Sequence, residues 1–212
     1  MIKNLLFDID GTLLDTKDAG LKALQKTLKD DYNINQTLDQ LEFAFSATDK
    51  TTFNHYGIPE AEHEDAARSI MRNSFSFIDA VHPFTGIKEV LQYLLRNDFN
   101  LSIVTSETRQ ELNLVFMNTS IAKYFDTFVT ADMVSKPKPD AEPADLALKL
   151  LKAKPEETLF IGDSYSDIGS AHGANTKFGL AGWGANPDDK FPNAEFIFKE
   201  PKDIEKATPT FS

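Results

Sequence analysis

Residues 5–16 read LLFDIDGTLLDT, and this stretch decides the fold. Its apolar start predicts a buried strand that ends in two carboxylates, Asp8 and Asp10, with Gly11 directly after them. Neighbouring carboxylates repel each other, and burial makes the repulsion more costly. The pair could be a solvated turn that simply ends the strand. An EF-hand calcium loop fits poorly, because its glycine belongs at the sixth loop position and a strand leads into this one.

The composition is that of an ordinary globular protein. The 212 residues are enough for a sizeable hydrophobic core, and 41% of them are hydrophobic. The sequence has no cysteine, which excludes disulfides, a thiolate nucleophile and a cysteine–zinc site. The net charge of −11, from 22 basic and 33 acidic side chains, argues against nucleic acid or an anionic membrane as a partner.

The N-terminal segment does not read as a signal peptide, because Asp8 interrupts the apolar run too early. No stretch of the sequence reaches the uninterrupted apolar length of a membrane span. We therefore expect a cytoplasmic protein, and the sequence predicts no particular oligomeric state.

Short apolar runs predict six buried strands, separated by segments with helical periodicity. The runs occupy residues 2–7, 101–105, 127–131, 158–162, 177–181 and 195–198. Apolar side chains from Ile87 to Leu95 recur at the i, i+3, i+4 spacing of an amphipathic helix, and Pro143 opens a second helix. Strands that alternate with helices predict an α/β fold with a parallel sheet covered on both faces.

The segment between the first strand and residue 82 breaks this alternation. It carries helical periodicity, beginning at Leu21, Leu24 and Leu28, and no strand-like run. HPFTG at 82–86 is typical of a hinge, since proline and glycine both interrupt it. We therefore predict a discontinuous core of residues 1–14 and 83–212 with an all-helical cap domain, residues 15–82, inserted into it.

Polar side chains follow the first four core strands, and ligands bind at the carboxyl ends of strands in an open parallel sheet. These side chains are Asp8 and Asp10, Thr105 and Ser106, Lys136 in SKPKPD, and Asp163 and Asp167 in GDSYSD. A divalent cation between Asp8 and Asp163 would remove the carboxylate repulsion. Oxygen ligands without histidine or cysteine suit Mg²⁺.

The other groups at these strand ends suit a phosphate. Thr105 or Ser106 can donate a hydroxyl hydrogen, and Lys136 can supply a positive charge, although Lys138 competes for that role. Asp167 could instead be a residue that only begins a helix.

Four segments resemble, in order, the motifs of the haloacid dehalogenase superfamily. They are DIDGT (8–12), the hydroxyl of Thr105, KPKPD (136–140) and GDSYSD (162–167). The resemblance covers nearly the whole chain, including the helical insertion and the Trp-Gly pair at 183–184. It is nearest to phosphoglycolate phosphatase-like and β-phosphoglucomutase-like members with a helical cap. It implies a Rossmann-like core and a Mg²⁺-dependent phosphatase, a hydrolase that acts on phosphoric monoesters of small metabolites.

The resemblance also implies a role for each site residue. Asp8 would attack phosphorus to form an aspartyl-phosphate, and Asp10 would protonate the leaving alcohol and then activate water. The metal ligands would be Asp8, the backbone carbonyl of Asp10, and Asp163. The remaining roles are phosphate binding by Thr105, the Ser106 amide and Lys136, and support of the site by Gly11, Thr12 and Asp167.

Other functions stay open at this point. A phosphomutase would use the same Asp8 but return the phosphoryl group to another hydroxyl. A phosphate- or partner-binding module would need neither a nucleophile nor an acid. Carbon–halide dehalogenases lack the second acid, so Asp10 favours a phosphate ester.

The substrate is not specified by these motifs. Many phosphoglycolate-like relatives have an Asn-Lys pair after the Thr105 position, whereas this chain has Ser106 and Glu107, which weakens the case for phosphoglycolate. Lys50 and His55 of the helical insertion are candidate substrate contacts. The alternatives there are Arg68 and Arg72.

Overall fold

The structure, a computed structural model, describes residues 1–45, 47 and 49–211, with the side chain of Phe45 outside the description. The chain forms two compact units. The core unit comprises Met1–Asp15 and Pro83–Ser212, and the helical unit comprises Thr16–His82.

Strands occur near the start of the chain and again from residue 82 onward, and helices occur from residue 17 onward. The strands are β1 (Asn4–Phe7), β2 (Leu14–Asp15), β3 (His82–Pro83), β4 (Asn100–Val104), β5 (Thr127–Val129), β6 (Thr158–Gly162), β7 (Lys177–Ala181) and β8 (Phe196–Phe198). The α-helices are α1 (Lys17–Tyr32), α2 (Leu38–Leu41), α3 (Asp49–His55), α4 (His63–Ser74), α5 (Ile87–Arg96), α6 (Arg109–Leu114), α7 (Glu142–Leu151), α8 (Tyr165–Gly173) and α9 (Lys202–Ala207).

The main sheet has six strands among the described residues, in the order β5-β4-β1-β6-β7-β8, and all of its pairings are parallel. β2 and β3 form a separate two-stranded sheet. Each of the six predicted strand runs overlaps one strand of the main sheet. The predicted α/β class is therefore confirmed.

β1 lies at the centre of the sheet because it is apolar on both faces. Its residues Leu5, Leu6 and Phe7 are fully buried. Phe7 pairs in register with Ile103 of β4 and with Ile161 of β6. The three central strands therefore end at the same level, and the residues that follow them meet at one edge of the sheet.

Helices cover both faces of the main sheet. Leu6 and Phe160 pack with Ala144 and Ala147 of α7 and with Ala171 of α8. Because side chains alternate along a strand, Leu5 and Phe7 point to the opposite face. The small alanines allow α7 and α8 to lie close to the strands.

The helical unit has its own hydrophobic core. Leu21, Leu24 and Leu28 lie on one face of α1 and pack with Leu41, Phe53 and other apolar side chains of this unit. Their i, i+3, i+7 spacing is what the sequence pattern requires of a helix with one buried face. Among the described residues, no helix combines the length and the apolar character that crossing a membrane requires.

Candidate active site

Asp8 stands at the end of β1, in the middle of the carboxyl edge of the sheet. Its backbone N–H donates to the carbonyl of Ile161 at 3.0 Å, which extends the ladder between β1 and β6 by one residue. Its side chain is 9% exposed. Burial raises the pKa of Asp8 to about 7; Lys138 works in the opposite direction, while Asp167 and Asp10 raise the pKa further.

The turn after Asp8 is built around the carboxylate of Asp163. The backbone N–H groups of Leu13 and Leu14 both donate to the carbonyl of Ile9, which closes the turn. Gly11 has a φ of +75°, and a Cβ at this position would lie 2.3 Å from Oδ2 of Asp163. The residue must therefore be glycine for two reasons, its backbone conformation and the space that Asp163 occupies.

Thr12 holds the same carboxylate from the other side. Its buried hydroxyl donates to Oδ1 of Asp163 at 3.0 Å. The carbonyl of Thr12 in turn accepts a hydrogen bond from the indole Nε1 of Trp183 at 2.9 Å. Trp183 thus fixes the turn that carries Gly11 and Thr12. Asp10, which precedes this turn, is exposed.

Three carboxylates converge beside the turn. Asp8, Asp163 and Asp167 each place one carboxylate oxygen within 4.8 Å of the other two. Burial and the charges of Asp167 and Asp8 raise the pKa of Asp163 well above its ordinary value. The cluster is therefore electrostatically unfavourable when only protein groups are present.

Asp167 serves two neighbours at once. Its Oδ2 accepts hydrogen bonds from the backbone N–H of Ser164 at 3.0 Å and from the Ser164 hydroxyl at 2.6 Å, which caps the start of α8. Its Oδ1 accepts a hydrogen bond from Lys138 at 2.6 Å. The two possibilities raised by the sequence, a helix-start residue and a site residue, are thus combined in one side chain.

Lys138, rather than Lys136, is the lysine that the structure brings to this cluster. Its Nζ lies 2.6 Å from Oδ1 of Asp8 and 2.6 Å from Oδ1 of Asp167, and its side chain is only 2% exposed. The two carboxylates raise its pKa although burial lowers it. The side chain of Lys136 is 73% exposed, and its Nζ is 3.9 Å from Asp140.

The loop that carries Lys136 and Lys138 lies close to α8, which explains why Lys138 and not Lys136 reaches the cluster. A Cβ at Gly169 of α8 would lie only 2.7 Å from Cβ of Pro139. Glycine at this position therefore lets the loop lie against the helix, next to Asp167. Lys138 precedes Pro139 directly and is held at the cluster, whereas Lys136 remains in solvent.

Thr105 and Ser106 follow β4 on the other side of β1. The buried Thr105 hydroxyl accepts a hydrogen bond from the backbone N–H of Glu107 at 3.0 Å, and the Ser106 residue is exposed. Because the Thr105 oxygen is the acceptor in this bond, its own hydrogen can be donated to a ligand.

Glu107 is the site residue whose environment the sequence did not reveal. Its Oε2 is buried and has no hydrogen-bond partner among the described residues. Burial, followed by the charges of Asp10 and Asp8, raises the pKa of Glu107 to about 9. The sequence showed only that Glu107 stands where many phosphoglycolate-like relatives have a lysine, whereas the structure shows that the residue is partly buried and its Oε2 fully so.

Residues 5–181 match the family model of the haloacid dehalogenase-like hydrolases. The chain belongs to this family. It is 30% identical over 213 residues to pyrophosphatase PpaX of Oceanobacillus iheyensis, an alignment that covers 96% of this chain and 95% of that protein. It is 33% identical to pyrophosphatase PpaX of Bacillus thuringiensis strain Al Hakam, with 86% and 84% of the two chains covered.

A solved structure has the same fold. A Lactobacillus plantarum protein, provisionally assigned as a phosphoglycolate phosphatase, superposes with a TM-score of 0.87 at 30% sequence identity. The superposition covers 97% of this chain and 99% of that one. The resemblance stated from the sequence motifs is thereby confirmed.

The acidic cluster of this hydrolase fits a divalent metal ion. Its donors are carboxylate oxygens, which suit a hard cation such as Mg²⁺, and Gly11 leaves the space in which Asp163 lies. When ionised, the three clustered carboxylates carry three negative charges, and the ammonium of Lys138 offsets one of them. A divalent cation offsets the remaining two.

The residues proposed from the helical unit lie on its surface. Lys50 is exposed, and its Nζ pairs with Oε1 of Glu60 at 2.8 Å. His55 is exposed, and its ring centroid lies 4.6 Å from that of Phe43. Their role as substrate contacts stays a prediction. Of the two alternatives, Arg72 is exposed, and Arg68 pairs with acidic residues of its own helix, Glu64 and Asp65.

Proposed function

We propose that this protein is a Mg²⁺-dependent phosphatase that hydrolyses a small phosphorylated metabolite through an aspartyl-phosphate intermediate on Asp8. The observation that carries the proposal is the position of Asp8 at the end of the central strand. It lies 2.6 Å from the ammonium of Lys138 and beside two further carboxylates. This arrangement provides a nucleophile together with groups that compensate the charge of a phosphate.

In the first step, an Oδ atom of Asp8 forms a bond to phosphorus while the bond from phosphorus to the leaving oxygen breaks. Asp10 donates its proton to that oxygen, so the product leaves as a neutral hydroxyl. The exposed position of Asp10, two residues beyond the nucleophile, suits a group that must meet the leaving part of the substrate.

In the second step, water attacks the phosphorus of the aspartyl-phosphate. Asp10, now a carboxylate, accepts the proton from the water. The bond from phosphorus to the Asp8 oxygen breaks, which releases inorganic phosphate and restores the Asp8 carboxylate. The same residue thus acts as acid and then as base.

The phosphoryl oxygens are bound by groups on both sides of β1. Lys138 supplies the positive charge in place of Lys136, because only Lys138 contacts the Asp8 carboxylate. The Thr105 hydroxyl donates its free hydrogen, and the exposed Ser106 provides a backbone N–H. Asp167 orients Lys138 through the hydrogen bond between their side chains.

The acidic cluster would hold the metal ion through Asp8 and Asp163, with the Asp10 backbone carbonyl as a further ligand and Asp167 in support. Bound there, the ion would neutralise negative charge on the phosphoryl group and on the nucleophile. Metal binding should stabilise the folded protein, and this can be tested without any substrate.

A panel of phosphorylated compounds tests the proposal. Phosphate release is measured with and without Mg²⁺ from a sugar phosphate, phosphoglycolate and pyrophosphate, the last because the PpaX relatives are named pyrophosphatases. We expect metal-dependent release by the wild type and a loss of at least about 1,000-fold in Asp8→Asn, because the amide is not a nucleophile.

The matched control is Asp126→Asn, an exposed acid just before β5 at the opposite end of the sheet. It should retain wild-type turnover. Metal-independent release, or full activity of Asp8→Asn, would contradict the proposal. Isomerisation of a sugar phosphate without release of phosphate would instead indicate a phosphomutase.

A further inference from the structure

Glu107 is a partly buried acid that the proposed chemistry does not use. Its Oε2 is buried, and no described residue hydrogen-bonds to it. An unsatisfied polar atom in such a position is costly, and it is rarely kept without a reason. A bound molecule can supply the missing partner.

The backbone of Glu107 is held firmly, so its side chain has a defined origin. Its N–H donates to the hydroxyl of Thr105 at 3.0 Å, and its carbonyl accepts from the N–H of Ala131 at 2.9 Å. These two bonds tie the residue to the ends of both β4 and β5. Glu107 is therefore part of the rigid edge of the sheet on which Thr105 lies.

Glu107 follows β4, which pairs with β1, so its side chain begins at the same edge of the sheet as Asp8 and Asp10. After burial, Asp10 contributes most to the raised pKa of Glu107, and Asp8 follows. In the proposed reaction, Asp10 faces the leaving oxygen and Asp8 attacks from the opposite side of phosphorus. The neighbourhood of Asp10 is thus where the leaving group lies.

We propose that Glu107 is a specificity-determining residue whose carboxyl group hydrogen-bonds the leaving group of the bound substrate. This inference rests on the proposed phosphatase function and extends it to the part of the substrate that departs. A neutral carboxyl group offers one donor and one acceptor, so it can bind either a hydroxyl-bearing or an oxyanionic leaving group. Burial and the neighbouring acids favour that neutral form.

Two substitutions separate a hydrogen bond from a merely structural role. Glu107→Gln keeps the shape of the side chain and both kinds of hydrogen-bonding group, whereas Glu107→Ala removes them. Glu156→Ala is the control for loss of one acidic side chain, because Glu156 is exposed in the turn before β6, at the opposite edge of the sheet. Thermal unfolding of each variant shows whether it is folded.

The experiment measures kcat and KM in Mg²⁺ for the sugar phosphate, phosphoglycolate and pyrophosphate, with p-nitrophenyl phosphate as the reference. The aryl leaving group offers few hydrogen-bonding groups. We expect Glu107→Ala to lower kcat/KM for at least one of the three other substrates about five- to tenfold relative to p-nitrophenyl phosphate, with KM rising. Glu107→Gln should stay within about twofold of the wild-type ratios, and Glu156→Ala should match the wild type.

Three results would contradict the proposed role of Glu107. Unchanged ratios in Glu107→Ala, an equal loss with every substrate, or a Gln variant that behaves like the Ala variant would each overturn the inference while leaving the phosphatase function intact. If the wild type hydrolysed none of the compounds, the proposed function would fail, and the inference would fail with it.

Discussion

The ammonium of Lys138 lies between two buried carboxylates and offsets one of their negative charges. It contacts Asp8 and Asp167, each at 2.6 Å. We predict that Lys138→Ala lowers the free energy of unfolding by about 3–5 kcal/mol at neutral pH, because the substitution leaves buried carboxylates without their cation. Turnover should fall as well.

The same substitution should have a defined pH dependence. Lys138 lowers the pKa of Asp8, so without it Asp8 takes up a proton more readily. The destabilisation should therefore be smaller at pH 5 than at pH 8, as measured by urea unfolding. Lys136→Ala is the matched control, and it should change unfolding by less than about 0.5 kcal/mol because that lysine is exposed. Equal effects of the two substitutions would refute the assignment of Lys138.

Glu107 should make the protein less stable as the pH rises. Its pKa is about 9 in the folded protein, where burial, Asp10, Asp8 and Glu111 raise it against the effect of Lys138. In the unfolded chain a glutamate has a pKa of about 4.3. The folded state therefore binds more protons between these two values, and this residue lowers the stability progressively as the pH rises through that window.

Glu107→Gln removes this titration while keeping the side-chain shape. In metal-free buffer, we predict that the variant becomes increasingly more stable than the wild type as the pH rises from 5 to 8. The gain should grow by up to about 1.4 kcal/mol for each pH unit in this range, because only the folded wild type must hold a proton that the unfolded chain has lost. Urea unfolding at several pH values measures the difference. A constant difference across this range would show that Glu107 does not titrate as described.

At the scale of elements, the turn after β1 depends on two glycines that touch. A Cβ on Gly184 would lie 1.7 Å from the carbonyl oxygen of Gly11, a backbone atom that cannot move aside like a flexible side chain. We predict that Gly184→Ala destabilises the protein by about 1–3 kcal/mol and lowers turnover, because the displaced turn carries Thr12 and its contact with Asp163. Thermal unfolding and phosphate release measure the two effects.

Gly20 provides the contrasting substitution. It lies inside α1, and an added Cβ would meet nothing within 4 Å. Gly20→Ala should therefore stabilise the helix by roughly 0.5–1 kcal/mol, as expected when alanine replaces glycine in a helix interior. If Gly20→Ala destabilised the protein as much as Gly184→Ala, the contact between Gly184 and Gly11 would not explain the effect of Gly184→Ala.

The elements themselves were predictable, because a parallel strand buried on both faces is apolar throughout, as β1 and β6 are. The convergence of the strand ends was also predictable, because the carboxyl ends of parallel strands meet at one edge of the sheet. The choice between Lys136 and Lys138 was not predictable, since it depends on how Gly169 lets the loop approach α8. The partial burial of Glu107 likewise results from tertiary packing, which single-sequence patterns do not report.

Across the whole molecule, acidic charge exceeds basic charge, and part of the excess is concentrated where the core strands end. Such a concentration opposes folding unless a cation compensates it. The proposed metal site would therefore link the stability of the fold to the binding of the ion. A ligand that binds only the folded state stabilises it, by about 2.7 kcal/mol at 100 times its Kd.

This linkage predicts a reversal of stability. Asp163→Asn removes one charge from the cluster while the amide oxygen can still accept the hydrogen bond from Thr12. Without metal, the variant should be more stable than the wild type, because the repulsion from Asp8 and Asp167 is relieved. With excess Mg²⁺, the order should reverse, because the wild type keeps the full set of carboxylate ligands.

Thermal unfolding in EDTA and in a series of Mg²⁺ concentrations tests the reversal without any substrate. The wild-type Tm should rise with Mg²⁺, and the Tm of Asp163→Asn should rise much less. Asp126→Asn, which removes an exposed charge far from the cluster, should follow the wild type. An equal rise in all three proteins would mean that Mg²⁺ acts by screening the net negative charge. In that case the ion would not occupy the carboxylate cluster, and the repulsion among its members would have to be relieved by protonation.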